Sequence, residues 1–584
     1  MARSIRIIPA RLQQPKFATG AFLSYNEPQV RPVRGAVRGT MDSGKHTDRA
    51  GGRRGAHLAL QIACLLAICA AGLGLRVYRL DSESLWYDEA VSFANIATPR
   101  LGQFVCLERA DDAPMVPFYF VLEYWWGVFG RGSELACRGL SVGCGLLTIL
   151  FVYAVGRRFF GPWAGLFAAL CVALARRHIY YSQEIRMYAL VLLLALASIY
   201  SFHRVLDERR APWWLAHAVV NALLLYTHLF AAAIITLEAA YLLVAHRRAP
   251  RTVARWAFIH VPLAISIIMW IVSIDPSRLR FLTRWITPPV WRDIGIAVLE
   301  ELAAIPMTRT PDTFRIDGPL PAAVAVCVLF ALLLLRAAGA ARAAWAGREP
   351  ADGRVRAFAL LGLWLVVPLT ALAVASYVWR PCFVSRYAFH SSLAFYLLAG
   401  AGVAALRTVR WRVFCMLAIA VLYGYYALDV ARPFRPDVRS AVAAMEAERT
   451  VYDKVLVMPG HAWLPVFVYS NLPKTHPIEV RDCASAIEAV LDATHQGRVC
   501  WVVAYEDNVC PDWEVALVDN ALAFERRAFP GRKRVFLYRI EPGRRAAPPV
   551  PAPAPSAPGV RAAGRRVDVA QCAHTAPLPG DLGT

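Results

Sequence analysis

Apolar residues in this chain come in membrane-length runs separated by short basic turns. A run of about 20 apolar residues crosses a hydrocarbon core of roughly 30 Å. Eleven stretches meet that description: 57–77, 138–156, 162–179, 187–203, 212–227, 229–246, 255–274, 320–337, 357–378, 388–406 and 412–429. Two longer intervals, 78–137 and 275–319, break the rhythm. Within the first, 114–130 (PMVPFYFVLEYWWGVFG) is apolar but short, carries Glu123 and two prolines, and ends in an aromatic cluster. That composition predicts a juxtamembrane helix lying in the interface, where Trp and Tyr prefer to sit, with a twelfth crossing as the alternative.

Beyond 430 the pattern changes. Short β-rich runs at Lys454–Met458, Val499–Val503 and Arg534–Ile540 alternate with helical stretches at Val438–Glu448 and Cys483–Ala493. This predicts a small α/β domain over 436–545. The flanks, 1–56 (Arg- and Gly-rich) and 546–584 (Pro/Ala-rich), read as disordered. Met41 is an alternative start, which N-terminal sequencing decides. The expected fold class is an all-α polytopic membrane protein of about 11 transmembrane helices, with interfacial helices and a C-terminal α/β domain.

Composition agrees with a membrane protein and excludes little else. Hydrophobic residues make up 57% of the 584 positions and charged residues only 18%. The formal net charge of +22 does not point to nucleic acid, because Lys and Arg collect in loops retained in the cytoplasm. With a cytoplasmic N-terminus, those loops hold Arg157-Arg158, Arg204 with Arg209-Arg210, Arg247 to Arg255, Arg336 to Arg356, and Arg407 to Arg412. The short outer turns carry only Arg186, Arg380 and Arg386. An odd number of crossings then sets the α/β domain on the non-cytoplasmic side. The thirteen cysteines show no metal-ligand spacing. Those in apolar runs read as packing residues, while Cys106 with Cys137, or pairs among Cys483, Cys500 and Cys510, would bridge in an oxidising compartment.

The same topology gathers the polar outliers at one membrane surface. Tyr87, Asp88 and Glu89 lie in the first outer loop, followed by Asp111 and Asp112, with Arg138 at the outer start of the second span. Tyr181, Glu184 and Arg186 belong to the next outer turn, His228 to the following one, and Arg386 with Tyr387 to the turn at 379–389. Guanidinium groups bind phosphate in a bidentate fork, and a carboxylate beside them accepts a proton from an incoming hydroxyl or amine. Such a surface suits a lipid phosphate, with an apolar groove for its tail. Glu184 and Arg186 can equally form a mutual ion pair, His228 a structural hydrogen bond, and Arg386 an anchor for lipid headgroups. Asp111 and Asp112 with Glu89 form an acidic step for a divalent metal, without a compact metal motif. Glu238, inside a span, is expected to bond another helix, at His217 or Asn221.

Trp86-Tyr87-Asp88-Glu89, the Tyr-Ser-Gln-Glu-x-Arg-x-Tyr turn at 181–188 and Arg386-Tyr387 resemble the membrane glycosyltransferases of the GT-C superfold. The likeness is to bacterial members similar to protein O-mannosyltransferases and the aminoarabinose transferase of lipid A, and it spans 57–430. The resemblance implies a polyprenyl-phosphate-sugar donor, an acceptor lipid, glycan or protein, and a multi-pass protein of the bacterial inner membrane. It implies Asp88 as catalytic base with Glu89 beside it, and Arg138, Arg186, Arg386 and Tyr387 around the donor phosphate. Tyr87, Asp111, Asp112, Tyr181, Glu184 and His228 are then supporting residues. No cofactor is implied beyond a divalent metal as candidate. One departure stands out: relatives carry His-Pro-Pro before the interfacial helix, where this chain has Pro114-Met115-Val116-Pro117. Two other functions compete. A surface-polysaccharide ligase or polymerase usually carries its large outer loop late, whereas the acids here lie in the first loop. A flippase for lipid-linked sugars would favour internal repeats and mid-membrane charges, and neither is evident.

Overall fold

The computed structural model describes residues 44–96, 117–130, 132–245, 249–273, 286–309, 314–346, 353–428, 435–459, 463–472, 478–479, 483–506, 512–531 and 533–542. The contacts below all belong to the unit 59–584. Asp111 and Asp112, and the chain ends expected to be disordered, lie outside the described residues.

The protein is a helical membrane protein with a small C-terminal α/β domain. Each of the eleven apolar stretches is occupied by helix. In chain order these are α1 (Gly44–Val77), α4 (Glu134–Phe160), α5 (Pro162–Leu174), α7 (Tyr188–Glu208), α8 (Ala211–Leu225), α9 (Ala232–Ala245) and α10 (Pro250–Val272). They continue as α12 (Leu320–Ala346), α13 (Gly353–Val378), α14 (Ser391–Ala404) and α15 (Val409–Ala427). Among the described residues six are long and apolar enough to cross a membrane: α1 from Gly55, α4, α7, α10, α12 and α13. Between the spans lie α2 (Tyr87–Ile96), α3 (Phe118–Phe129), α6 (Arg176–Ser182) and α11 (Trp291–Ala297). The interval expected as one span over 162–179 is two helices, parted at Ala175, whose ψ of 120° is extended. Neither Gly nor Pro stands at the break; its cause is a buried arginine described below.

Helix α14 is the axis of the bundle. Nearly every residue from Ser391 to Val403 is buried, which requires neighbours at close range on all sides. Two glycines supply it. A methyl group at Gly400 would stand 2.5 Å from the carbonyl oxygen of Ala164 on α5, and one at Gly402 would overlap the backbone of Leu333 on α12. Aromatic rings fill the rest, with Phe330 against Phe395 at 4.6 Å between centroids.

The C-terminal domain carries a five-stranded sheet in the order β4-β3-β5-β7-β6. Its strands are β3 (Lys454–Met458), β4 (Ile478–Glu479), β5 (Cys500–Tyr505), β6 (Ala523–Phe529) and β7 (Val535–Glu541), while a hairpin of β1 (Met307–Arg309) and β2 (Phe314–Ile316) stands apart. β3 pairs parallel with β4 and β5, whereas β5–β7 and β6–β7 are antiparallel. Alternation along the central strands sends Leu456, Met458 and Val502 to one core and Val455, Val457 and Val503 to the other. The first core is closed by α18 (Cys483–His495) and α19 (Trp513–Asp519), the second by α16 (Val438–Glu448) and α17 (Trp463–Tyr469). Three expected strands and two helices are present at nearly the expected bounds. β6 was missed because Glu525, Arg526 and Arg527 interrupt its apolar alternation on an exposed edge. Cys483 is disulfide-bonded, whereas Cys137 and Cys500 are free thiols; Cys106 and Cys510 lie outside the described residues.

Because the α14–α12 crossing leaves no room for a side chain, Gly402→Val should cost about 1–3 kcal/mol or more. Its thermal midpoint in detergent is expected several degrees below wild type, whereas Gly424→Ala, at an open position, should leave it unchanged.

Candidate functional site

The site is assembled from segments that emerge at one end of the bundle. The turn 181–188 sits at its centre and is tied to α1 and α4. Ser182 accepts a hydrogen bond from Arg76 of α1 at 3.1 Å. Gln183 donates to the carbonyls of Arg76 and Tyr78 at the end of the same helix, both at 3.1 Å. Ser141 of α4 donates to the carbonyl of Glu184 at 2.6 Å.

Arg76 explains the helix break. Its guanidinium, fully buried, donates to the carbonyls of Val172 and Ala173 at 2.9 and 3.1 Å. The last carbonyls of a helix have no partner within it, and a buried cation is a strong acceptor-seeking group. Ending α5 there satisfies both. A side chain at Gly145 would strike Ser182 and Arg76, so that glycine makes the room.

Asp88 and Glu89, neighbours on α2, point in different directions. Glu89 is wholly buried (0% exposed). Its carboxylate accepts both Nε and Nη2 of Arg138 at 3.3 Å, the backbone N–H of Ile185 at 2.9 Å, and Nη1 of Arg435. Burial alone would raise this carboxyl, but Arg138, Arg435 and the Ile185 N–H hold it below the usual carboxylate range. Arg138 is equally buried and donates also to the carbonyls of Leu80 and Glu83 at 2.7 and 2.9 Å. Arg435 makes a second contact, at 3.7 Å, to Glu184.

Asp88 keeps about a quarter of its side chain exposed, with Nη2 of Arg186 and Nη2 of Arg386 each 3.9 Å from Oδ2. These are ion-pair distances, longer than direct hydrogen bonds. Arg186 is braced by the Asp88 carbonyl and by Ser92 Oγ, both at 3.3 Å. For Arg386, burial works against the charge, yet Tyr188, Asp88 and Tyr387 hold the guanidinium above its ordinary value. Tyr387 stacks on Phe230 at 4.5 Å, and its ring stands 5.1 Å from that of His228. Burial, reinforced by His390, Arg186 and Arg386, pushes the imidazole of His228 down to about 3, so it is neutral. Tyr181 packs against Tyr188 at 4.9 Å and beneath Arg177, and Tyr87 joins the apolar cluster around Leu85, Val91 and Ile185.

Asp88, Arg186, Arg386, Tyr387 and His228 thus gather at one opening to solvent, where Asp88 and Arg386 stay about a quarter exposed, while Glu89, Arg138 and Glu184 are buried. Glu184 and Arg186 do not pair with each other: the first faces Arg435, the second Asp88. Three participants escaped sequence reasoning. Arg435 follows the last span in Arg-Pro-Phe-Arg-Pro, where a Pro-flanked arginine at the outer face was the available signal. Glu300 and Glu301, near the end of the second long interval, hold Arg177, and Glu301 accepts from Ser385 at 2.9 Å, next to Arg386. The C-terminal domain reaches the site through α17, whose Leu464 and Val468 pack on Leu85, Val91 and Ile185. Tyr469 Oη accepts the Leu85 N–H at 2.8 Å.

Residues 111–273 match the family model described as dolichyl-phosphate-mannose-protein mannosyltransferase. Among curated proteins no sequence matches the chain. Of solved structures, ArnT from Cupriavidus metallidurans bound to undecaprenyl phosphate aligns with 83% of this chain and 98% of its own, at 13% identity and a TM-score of 0.51. The oligosaccharyltransferase of Archaeoglobus fulgidus aligns with 80% of this chain and 73% of its own at 11% identity (TM-score 0.48). Mycobacterial arabinofuranosyltransferase AftD aligns with 81% and 41% at 15% identity (TM-score 0.47). The chain shares the fold of GT-C membrane glycosyltransferases, as its motifs imply.

Burial pushes the Glu184 carboxyl up to about 7. The folded chain therefore binds this proton more tightly than the unfolded one, and stability falls as pH rises from the ordinary carboxylate range through 7. Glu184→Gln removes that loss, so its thermal midpoint should exceed wild type at pH 8 by the equivalent of about 2–3 kcal/mol. The gain should shrink toward pH 5; an equal gain at both pH values would contradict the assignment.

Proposed function

We propose that this protein is a glycosyltransferase that moves a sugar from a polyprenyl-phosphate donor to a lipid, glycan or protein acceptor on the non-cytoplasmic face of the bacterial inner membrane. The observation that carries the reading is Asp88, a partly exposed carboxylate between two guanidinium groups at equal distance.

The chemistry follows from that arrangement. Arg386 and Arg186 take two oxygens of the donor phosphate, replacing water around an anion that must leave. The acceptor hydroxyl lies against Asp88 and attacks the sugar carbon from the face opposite the phosphate. The new carbon–oxygen bond forms as the carbon–phosphate-oxygen bond breaks, the proton passes to Asp88, and the sugar carbon is inverted. The departing phosphate keeps its electron pair and gains its compensating charge from the two arginines. Asp88 acts late, on a hydroxyl already acidified by bond formation, so a weak base suffices. Tyr387, Tyr188 and neutral His228 form the aromatic wall against which the sugar is held.

Glu89 and Arg138 are positioning residues in this scheme. Both are sealed from the opening, and together they hold α2 so that Asp88 faces it. A metal held by Glu89 finds little support, since two arginines and an N–H already occupy its oxygens. The non-cytoplasmic side is supported by the arginine asymmetry of the loops and by the disulfide at Cys483, a bond of oxidising compartments.

In membrane vesicles given a labelled polyprenyl-phosphate sugar, wild type should move label onto an acceptor; lipid moved intact would instead mark a transporter. Asp88→Asn should lower turnover by about 10²–10⁴-fold with unchanged expression, and normal turnover would remove Asp88 from the mechanism. Arg386→Ala should raise the donor KM roughly 10- to 100-fold, with the acceptor KM held; an effect confined to the acceptor would contradict the phosphate assignment.

A further inference from the structure

Away from this opening, four helices bury a second polar cluster. Glu238 of α9 is fully buried, as are His217 and Asn221 of α8, and His260 of α10 nearly so. As the sequence led us to expect, Glu238 bonds neighbouring helices: its Oε2 lies 3.3 Å from both His217 Nε2 and Asn221 Nδ2. It also lies 3.9 Å from His260 Nε2. The ligand atoms of the two histidines and the carboxylate all fall within 4.8 Å of one another.

The outward nitrogens reveal what faces inward. His260 Nδ1 lies 2.8 Å from the carbonyl of Trp256, a group that only accepts, so Nδ1 carries the hydrogen. Ser201 gives its hydrogen to the carbonyl of Ser198 at 2.9 Å, and its oxygen then accepts from His217 Nδ1 at 3.0 Å. Each imidazole therefore turns its Nε2 toward the carboxylate, with a bare lone pair when the ring is neutral. This is the outer-shell pattern that orients histidine ligands on a metal.

Ser198 decides the amide. Its one hydrogen faces Asn221 Oδ1 at 2.5 Å and Glu238 Oε1 at 2.8 Å. With the Asn221 amide turned by 180°, Ser198 would accept from the amide, after a small lengthening of that contact, and donate to Glu238. Asn221 Oδ1 then meets the two Nε2 atoms and Glu238 Oε2, at positions now spaced 3.2, 2.8 and 3.3 Å from it. Four lone-pair atoms then converge, and the Trp256 indole N–H also donates to Glu238 Oε2 at 3.2 Å. A tetrahedron of zinc-ligand bonds has edges of roughly 3.3–3.6 Å, and the separations here, from 2.8 to 3.9 Å, lie on both sides of that range.

We propose that His217, Glu238, His260 and Asn221 hold a divalent transition-metal ion of the zinc type. With four protein ligands the site is closed, and its role is structural: it ties α8, α9 and α10 together. The competing occupant is a proton on Glu238, passed through Ser198 to Asn221. A second is a proton on His217 Nε2, which would make the 3.3 Å contact to Glu238 Oε2 an imidazolium–carboxylate pair.

The full-length protein, purified in detergent from zinc-supplemented cells and desalted, should carry about one zinc per chain by elemental mass spectrometry. Glu238→Gln and His260→Gln should lose it. Wild type stripped and reloaded with Co2+ should show the visible absorption of tetrahedral cobalt, and zinc-edge X-ray absorption should show imidazole ligands; both readouts stand if the variants fail to fold. A folded wild type that neither carries zinc nor takes up Zn2+ or Co2+ would overturn the proposal in favour of the buried proton. Zinc retained by both variants would overturn it by locating the ion elsewhere.

Discussion

The ion cluster at Glu89 is the constraint on which the rest of this end of the bundle depends. A buried carboxylate is costly unless its charge is matched and its lone pairs are filled. Here one is met by two guanidinium groups and a backbone N–H, and the four groups come from α2, the start of α4, the turn 181–188 and the segment after the last span. Removing any one would strand a charge without water. The cluster therefore contributes register more than stability: it specifies how four distant segments meet.

Asp88 inherits its position from that cluster. Consecutive helical residues project about 100° apart, so fixing Glu89 inward leaves Asp88 directed at the opening, half-wet, between Arg186 and Arg386. In the proposed mechanism the sealed acid organises and the open acid reacts. The C-terminal domain takes part in the sealing. Arg435 joins the cluster, while α17 covers the apolar side of the first loop, so the α/β domain packs on the same end of the bundle as the cluster.

The same rule, that buried polar groups must find partners, shapes the bundle elsewhere. Arg76 takes the carbonyls freed where α5 stops at Ala175, and the resulting kink turns α6 and the 181–188 turn back toward α1. Close approach has its own demand, met by Gly400 and Gly402 on α14. The cluster at His217, Glu238 and His260 is a further application, with the histidine Nε2 atoms turned inward by hydrogen bonds that Nδ1 makes outward.

Much of this architecture could be read from the chain alone. Apolar period and run length determined all eleven apolar helices, because hydrocarbon thickness demands length and hydrophobicity whatever the neighbours. Basic residues between the runs, and the acids and arginines confined to alternate turns, likewise marked one end of the molecule as polar. What only the tertiary structure decided was which of those charges face each other. Glu89 and Asp88 are indistinguishable as letters, and Arg435 is one of many arginines; their roles differ because packing removes water from one set and leaves it on the other. The break at Ala175 was hidden for the same reason, since its cause, Arg76, lies nearly a hundred residues away in sequence. Local pattern specifies elements, and long-range burial specifies the chemistry of the residues they carry.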